Sequence, residues 1–101
     1  MTPVTNACVL CERGPLKEFT YWKITENQFP YDLIAKTHHM LMPLRHVAES
    51  EFSEEELKEF ALIKGELMEG EYDWLIESTV KNKSIPSHFH LHLIVAKPSI
   101  P

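Results

Sequence analysis

A chain of 101 residues has room for one domain with one core and not for two. It is 44% hydrophobic and 25% charged, too apolar for disorder, and its net charge of −5 argues against a duplex nucleic acid partner, which needs a basic face. No apolar run approaches the roughly 20 residues of a membrane helix, so no membrane partner is expected. A single nucleotide stays compatible with mild acidity, because one phosphate group needs only a few donors.

At the N-terminus, Met1 to Ala7 lack a basic segment followed by an apolar stretch. No secretory signal is visible, and a cytoplasmic location is expected. The two cysteines follow as Cys8-Val9-Leu10-Cys11. In a reducing cytosol a stable disulfide is not expected, leaving a redox pair or half of a metal site. The redox reading needs a strand-to-helix context, whereas Glu12-Arg13-Gly14-Pro15 reads as a turn, so a metal knuckle is favoured.

Phe19 to Thr25 is aromatic and β-branched and predicts a strand, with Glu26-Asn27-Gln28 as a turn after it. A second extended stretch runs from Tyr31 to about Lys36. A third, His39 to Met42, is closed by Pro43, which cannot donate to a ladder. Ser53-Glu54-Glu55-Glu56 is a capping box whose acidic residues suit the positive end of a helix dipole. The helix it opens, about Ser53 to Glu69, carries Leu57, Phe60, Ala61, Leu67 and Met68 at helical spacing. Lys64 interrupts that stripe, Leu62 and Ile63 widen it, and Gly70 is the stop. Trp74 to Ile76 opens another strand, Lys81 to Ser84 is a polar loop, and a last strand runs from His88 to about Lys97. Several strands with one main helix predict an α+β fold on an antiparallel sheet.

The last strand carries the chemistry. In His88-Phe89-His90-Leu91-His92-Leu93-Ile94, alternation puts His88, His90 and His92 on one face and Phe89, Leu91, Leu93 and Val95 on the other. Neighbouring imidazoles then lie roughly 6–7 Å apart. Stability explains such a row poorly. Imidazole is a modest strand former, and three on one face repel once protonated. A residue that titrates near neutrality and has two distinct nitrogens suits a nucleophile, an acid or a metal ligand. The bland alternative is an exposed polar face that happens to use histidine.

His-φ-His-φ-His-φ-φ, with φ apolar, is the signature of the histidine-triad (HIT) superfamily, and residues 88–94 resemble it at every position. The segment His38-His39-Met40-Leu41-Met42-Pro43-Leu44-Arg45-His46 is similar to the family's strand ending in Pro-basic-basic-His before the main helix. The resemblance spans residues 8–97 and implies a HIT-like fold, an antiparallel sheet with one main helix. It also implies an activity: the middle histidine attacks a nucleotide α-phosphate, and water or another acceptor resolves the nucleotidyl-histidine. His90 would then be the nucleophile, His92 would contact the phosphate or orient the reaction, and the partner would be a small-molecule nucleotide. Homodimers are common in the family, although nothing in this sequence fixes an interface.

Some members, including galactose-1-phosphate uridylyltransferase relatives, hold a structural zinc. The resemblance carries its ligands to Cys8, Cys11, His46 and His88, a closed set of two thiolates and two imidazoles. The alternative is two reduced buried cysteines and a solvated His46. His38 is a candidate for the rim of the site, and His39 is structural or at the surface.

The chain departs from the family between residues 77 and 87. Many active members have a strand ending in Asn and then a glycine-rich loop with Gln there. Here Glu77 stands about where the Asn would be, and no glycine follows before the triad. A glycine-free loop cannot bring its backbone to a phosphate in the same way. Lys81, Lys83, Ser84 and Ser87 are candidate phosphate contacts, or else an ordinary solvated loop. Two functional expectations therefore stand. One is a HIT-like nucleotidyl hydrolase or transferase. The other is a non-catalytic HIT-like domain that binds a nucleotide, or zinc and a partner.

Overall fold

The structure, a computed structural model, describes residues 8, 10–27, 30–31, 33–79 and 88–98. Its elements in chain order are β1 (Lys17–Glu18), β2 (Trp22–Glu26), β3 (Ala35–Pro43), α1 (Glu54–Met68), β4 (Trp74–Ile76) and β5 (Leu91–Ala96). The five strands form one sheet in the order β1-β2-β3-β5-β4, and every neighbouring pair is antiparallel. With one α-helix among the described residues, the fold is the expected α+β class. Among those residues no helix is long and apolar enough to cross a membrane.

Two strand expectations change. The stretches Tyr31 to Lys36 and His39 to Met42 are not separate strands. Ala35 to Pro43 is continuous, with a register irregularity between Ala35 and Thr37. The residues before it turn, and Tyr31 O accepts from the Ile34 and Ala35 amides at 3.0 and 2.8 Å. The strand expected from Phe19 begins instead at Trp22. A tight turn at Thr20 and Tyr21 sets β1 against β2, and the Glu59 carboxylate of the helix accepts from both turn amides, at 3.1 and 2.6 Å.

Register decides which side chains share a face. Trp22, Ile24, Leu41, Leu91 and Leu93 lie on one side of the sheet and are buried with Phe89 and Ile63 in the main core. Trp22 is central: its indole stacks on Phe60 at 4.8 Å and meets Phe52 and Phe89 edge-on. Its Nε1–H donates to Glu56 O at 2.9 Å, so the ring buries its surface without orphaning its donor.

The helix starts as expected. Ser53 Oγ accepts from the Glu56 amide at 3.1 Å, and the Glu56 carboxylate accepts from the Ser53 amide at 2.8 Å. Its buried stripe is different. Glu56 and Ile63 are buried, Phe60 and Leu67 pack on the core, and Leu57, Ala61 and Met68 are turned to solvent. Positions 56, 60, 63 and 67 make one helical face. The set 57, 61, 64 and 68 is the same pattern rotated by about 100°, and Lys64 on it is no interruption but a surface residue. The core face was hard to see because its first position is a glutamate. Glu56 is buried because the Arg45 guanidinium meets it through Nε at 3.0 Å and Nη2 at 2.9 Å.

Two expected outcomes follow from this end of the helix. Ser53→Ala should cost about 1 kcal/mol of unfolding free energy, read by denaturant titration. Arg45 chiefly, with Ser53 helping, holds the Glu56 carboxyl below its ordinary value of 4.5. A folded pKa below the unfolded one means that stabilisation is complete above that value and fades as the pH falls through the lower folded one. In Glu56→Gln this acid-side loss of stability should be smaller than in the parent.

Candidate functional site

The other side of the sheet is polar where the first is apolar. Lys23 and Thr25 of β2, His38, Met40 and Met42 of β3, and His92 of β5 share it by register. His88 and His90 precede β5, and all three triad imidazoles are buried. The regular strand starts only at Leu91, so two of the three histidines stand just before it, His88 in a bend.

One end of this face is a cluster of possible ligands. Cys8, Cys11, His46 and His88 bring one ligand atom each to within 4.8 Å of one another. His88 Nδ1 is 3.5 Å from Cys8 Sγ and 3.4 Å from Cys11 Sγ, and His46 Nδ1 is 3.2 Å from Cys11 Sγ. Geometry also sets the state of the histidine. His88 Nε2 lies 3.0 Å from Pro43 O, and a carbonyl only accepts, so the proton sits on Nε2 and the Nδ1 lone pair faces the sulfurs. Burial lowers the His88 pKa and keeps the ring neutral; the hydrogen bond to Pro43 O works against this, and the nearby His46, Lys23 and His90 add to the lowering. Burial, with the adjoining Cys8, pushes the Cys11 thiol up to about 11. A bound cation would reverse that preference. The cluster could hold a metal ion.

The cysteine loop is fastened to the sheet from two sides. Leu10 packs with Met40 and Met42. The Lys23 ammonium, almost wholly buried, donates to Arg13 O at 2.8 Å and Cys11 O at 3.4 Å. No motif singles out Lys23 in the sequence; its position opposite Met42 in the register is what aims it at the loop.

The second part of the face is a chain of imidazoles. His90 Nδ1 is 3.1 Å from His88 O. The same carbonyl argument puts the His90 proton on Nδ1 and leaves the Nε2 lone pair free. Next to it, at 5.2 Å between ring centres, lies His92. His92 Nδ1 is 2.8 Å from His38 Nε2, and His38 Nδ1 accepts from the Tyr31 main-chain amide at 3.0 Å. His38, expected at the rim, is thus inside the site as the buried partner of His92. His39 points to the helix side, where its Nδ1 is 2.6 Å from the Tyr72 hydroxyl; it is structural. Tyr31 and Asn27 were not expected here at all. Ser84 and Ser87, with the rest of the glycine-free loop from 80 to 87, lie outside the described residues.

Comparison with solved structures finds a histidine triad protein from Clostridium difficile, with a TM-score of 0.61 at 15% identity over 93% of each chain. The chain has a HIT-like fold. At that identity the likeness concerns the backbone fold and not the side chains of the site. No protein-family model and no curated protein matches the sequence.

Proposed function

We propose that this HIT-like chain is a nucleotidyl hydrolase or transferase in which His90 attacks the α-phosphate of a small-molecule nucleotide. The observation that carries the proposal is the His90 Nδ1 contact to His88 O at 3.1 Å. It makes Nε2 an unprotonated nucleophile without any general base. A bond forms from Nε2 to phosphorus, and the bond from phosphorus to the leaving group breaks with its electron pair. Water or another acceptor then attacks the same phosphorus and releases His90. His92, beside it, is the donor to a phosphoryl oxygen, where negative charge grows in the transition state.

The Cys8, Cys11, His46 and His88 cluster is read as a structural zinc site. Two thiolates and two imidazoles are a zinc donor set, and zinc bond lengths put sulfur and nitrogen about 3.6 Å apart around a tetrahedron, against 3.2 to 3.5 Å between these atoms. Bound there, the ion would cross-link the cysteine loop to the sheet. It supplies no step of the reaction.

A second reading rests on burial. His90 and His92 are only 4% and 6% exposed, which favours a domain that keeps the triad without turnover. Mass spectrometry of quenched protein after mixing with adenylyl and guanylyl phosphoramidates separates the two. A nucleotidyl adduct on His90 is expected. Nucleotide binding with neither adduct nor product over the panel would replace the enzyme with the binding domain.

A further inference from the structure

Tyr31 touches the histidine pair at three points. Its main-chain N–H donates to His38 Nδ1 at 3.0 Å. Its ring lies against both imidazoles, 4.4 Å from His38 and 5.2 Å from His92 between centres. Its hydroxyl is 3.4 Å from His92 Nε2.

The first contact dictates the others. A main-chain amide can only donate, so His38 Nδ1 carries a lone pair and the proton of neutral His38 is on Nε2. Burial chiefly, and the charge of His39, lower the His38 pKa and keep it neutral. His38 Nε2–H then donates to His92 Nδ1 at 2.8 Å, which places the proton of neutral His92 on Nε2. That N–H is aimed at the Tyr31 oxygen. The Asn27 amide also reaches His38 Nε2, at 3.1 Å; facing a protonated nitrogen, it must present its oxygen there, the end-for-end alternative of the same planar group. The hydrogen bonds thus run in a closed circuit that begins and ends on Tyr31, in one direction only.

We propose that Tyr31 is a phosphate-binding residue, its hydroxyl and the His92 Nε2–H forming a pair of donors for one phosphoryl oxygen of a nucleoside monophosphate group. This rests on the nucleotidyl reading of His90. The contact between the phenol and His92 is long, at 3.4 Å, so a phosphoryl oxygen placed between the two takes the His92 N–H in exchange for the phenol oxygen, and the phenol gives its own proton to the same oxygen. Unlike the buried histidines, Tyr31 is 38% exposed, so it can meet a ligand arriving from solvent. It also supplies what the sequence between Glu77 and the triad lacks. A glycine-free sequence cannot bring its amides to a phosphate as a glycine-rich loop does, and the Tyr31 side chain beside His92 offers a donor in its place.

Calorimetric titration of wild-type protein and Tyr31→Phe with AMP and GMP, and with adenosine and guanosine, tests the assignment. Tyr31→Phe keeps the ring and the main-chain N–H, so the links from Tyr31 to His38 and from His38 to His92 are retained and only the contact of His92 with the phenol oxygen is lost; circular dichroism checks the fold. The monophosphates should bind the variant about ten- to a hundredfold more weakly, the loss of one hydrogen bond to a charged oxygen, with nucleoside affinity unchanged. Equal monophosphate affinity in both proteins, or equal weakening of nucleosides and monophosphates, overturns the role of Tyr31 and leaves the nucleotidyl reading standing. Wild-type protein that binds neither AMP nor GMP overturns both. Independently of any ligand, imidazole nitrogen shifts of labelled wild-type protein should show His38 and His92 protonated on Nε2. A His92 proton on Nδ1 would remove the donor that the proposal requires.

Discussion

If the cluster of Cys8, Cys11, His46 and His88 holds the proposed zinc, Cys11→Ser protein is expected to lose the ion and much of its stability together. A structural zinc in a small domain carries an apparent binding free energy of about 10–16 kcal/mol, whereas a whole domain has a net stability of about 5–15 kcal/mol. Losing even a third of the former decides whether the cysteine loop stays on the sheet. His88→Ala should be the more damaging ligand change and His46→Ala the milder one. His88 is wholly buried, and its removal also strips Pro43 O of a hydrogen-bond donor, while His46 is exposed. Elemental analysis of protein purified without added metal should give one zinc per chain for the parent. Melting with and without a strong chelator completes the measurement. A metal-free parent whose melting ignores the chelator would sink the zinc assignment.

His90→Ala should behave in the opposite way, keeping zinc and fold while turnover of a nucleotidyl phosphoramidate falls on the order of 10⁴–10⁶-fold, as when a covalent nucleophile is deleted. His92→Ala should cost less, on the order of 10²–10³-fold, as for one donor to a developing oxyanion. Single-turnover kinetics beside elemental analysis distinguishes these from the ligand changes. Should His90→Ala retain the parent rate, another group forms the covalent bond and the mechanism fails. A rate lost together with zinc would mean that His90 serves the metal instead.

Local patterns made part of this molecule legible from its residues alone. The period-two alternation from His88 to Ile94 needs only strand geometry, and the Ser53 to Glu56 box needs only hydrogen-bond reach; the structure has the histidines on one face and the cap as expected. The union of Cys8 and Cys11 with His46 and His88 spans some eighty residues, and only the resemblance to a family pointed to it. What stayed hidden depended on tertiary neighbours. Glu56 reads as a surface cap until Arg45 is seen beside it, and mistaking it turned the apparent core stripe toward Leu57, Ala61 and Met68. Tyr31 belongs to no motif. It follows Pro30 in a connection between strands, and only the fold swings it over His38 and His92. Lys23 looks like an ordinary alternating strand residue until the loop it grips is placed.

His88 is joined to both halves of the polar face, its imidazole to the thiols and its carbonyl to His90 Nδ1. Linkage makes such an arrangement reciprocal. Whatever factor an ion on the imidazole side lends to ligand affinity at His90, the ligand must return as the same factor in affinity for the ion. A substrate analogue bound at His90 should therefore change the affinity for an ion at the thiols, read by equilibrium competition with a chelator, only as far as the ion changes the binding of that analogue. The two equilibria are one measurement made from opposite ends.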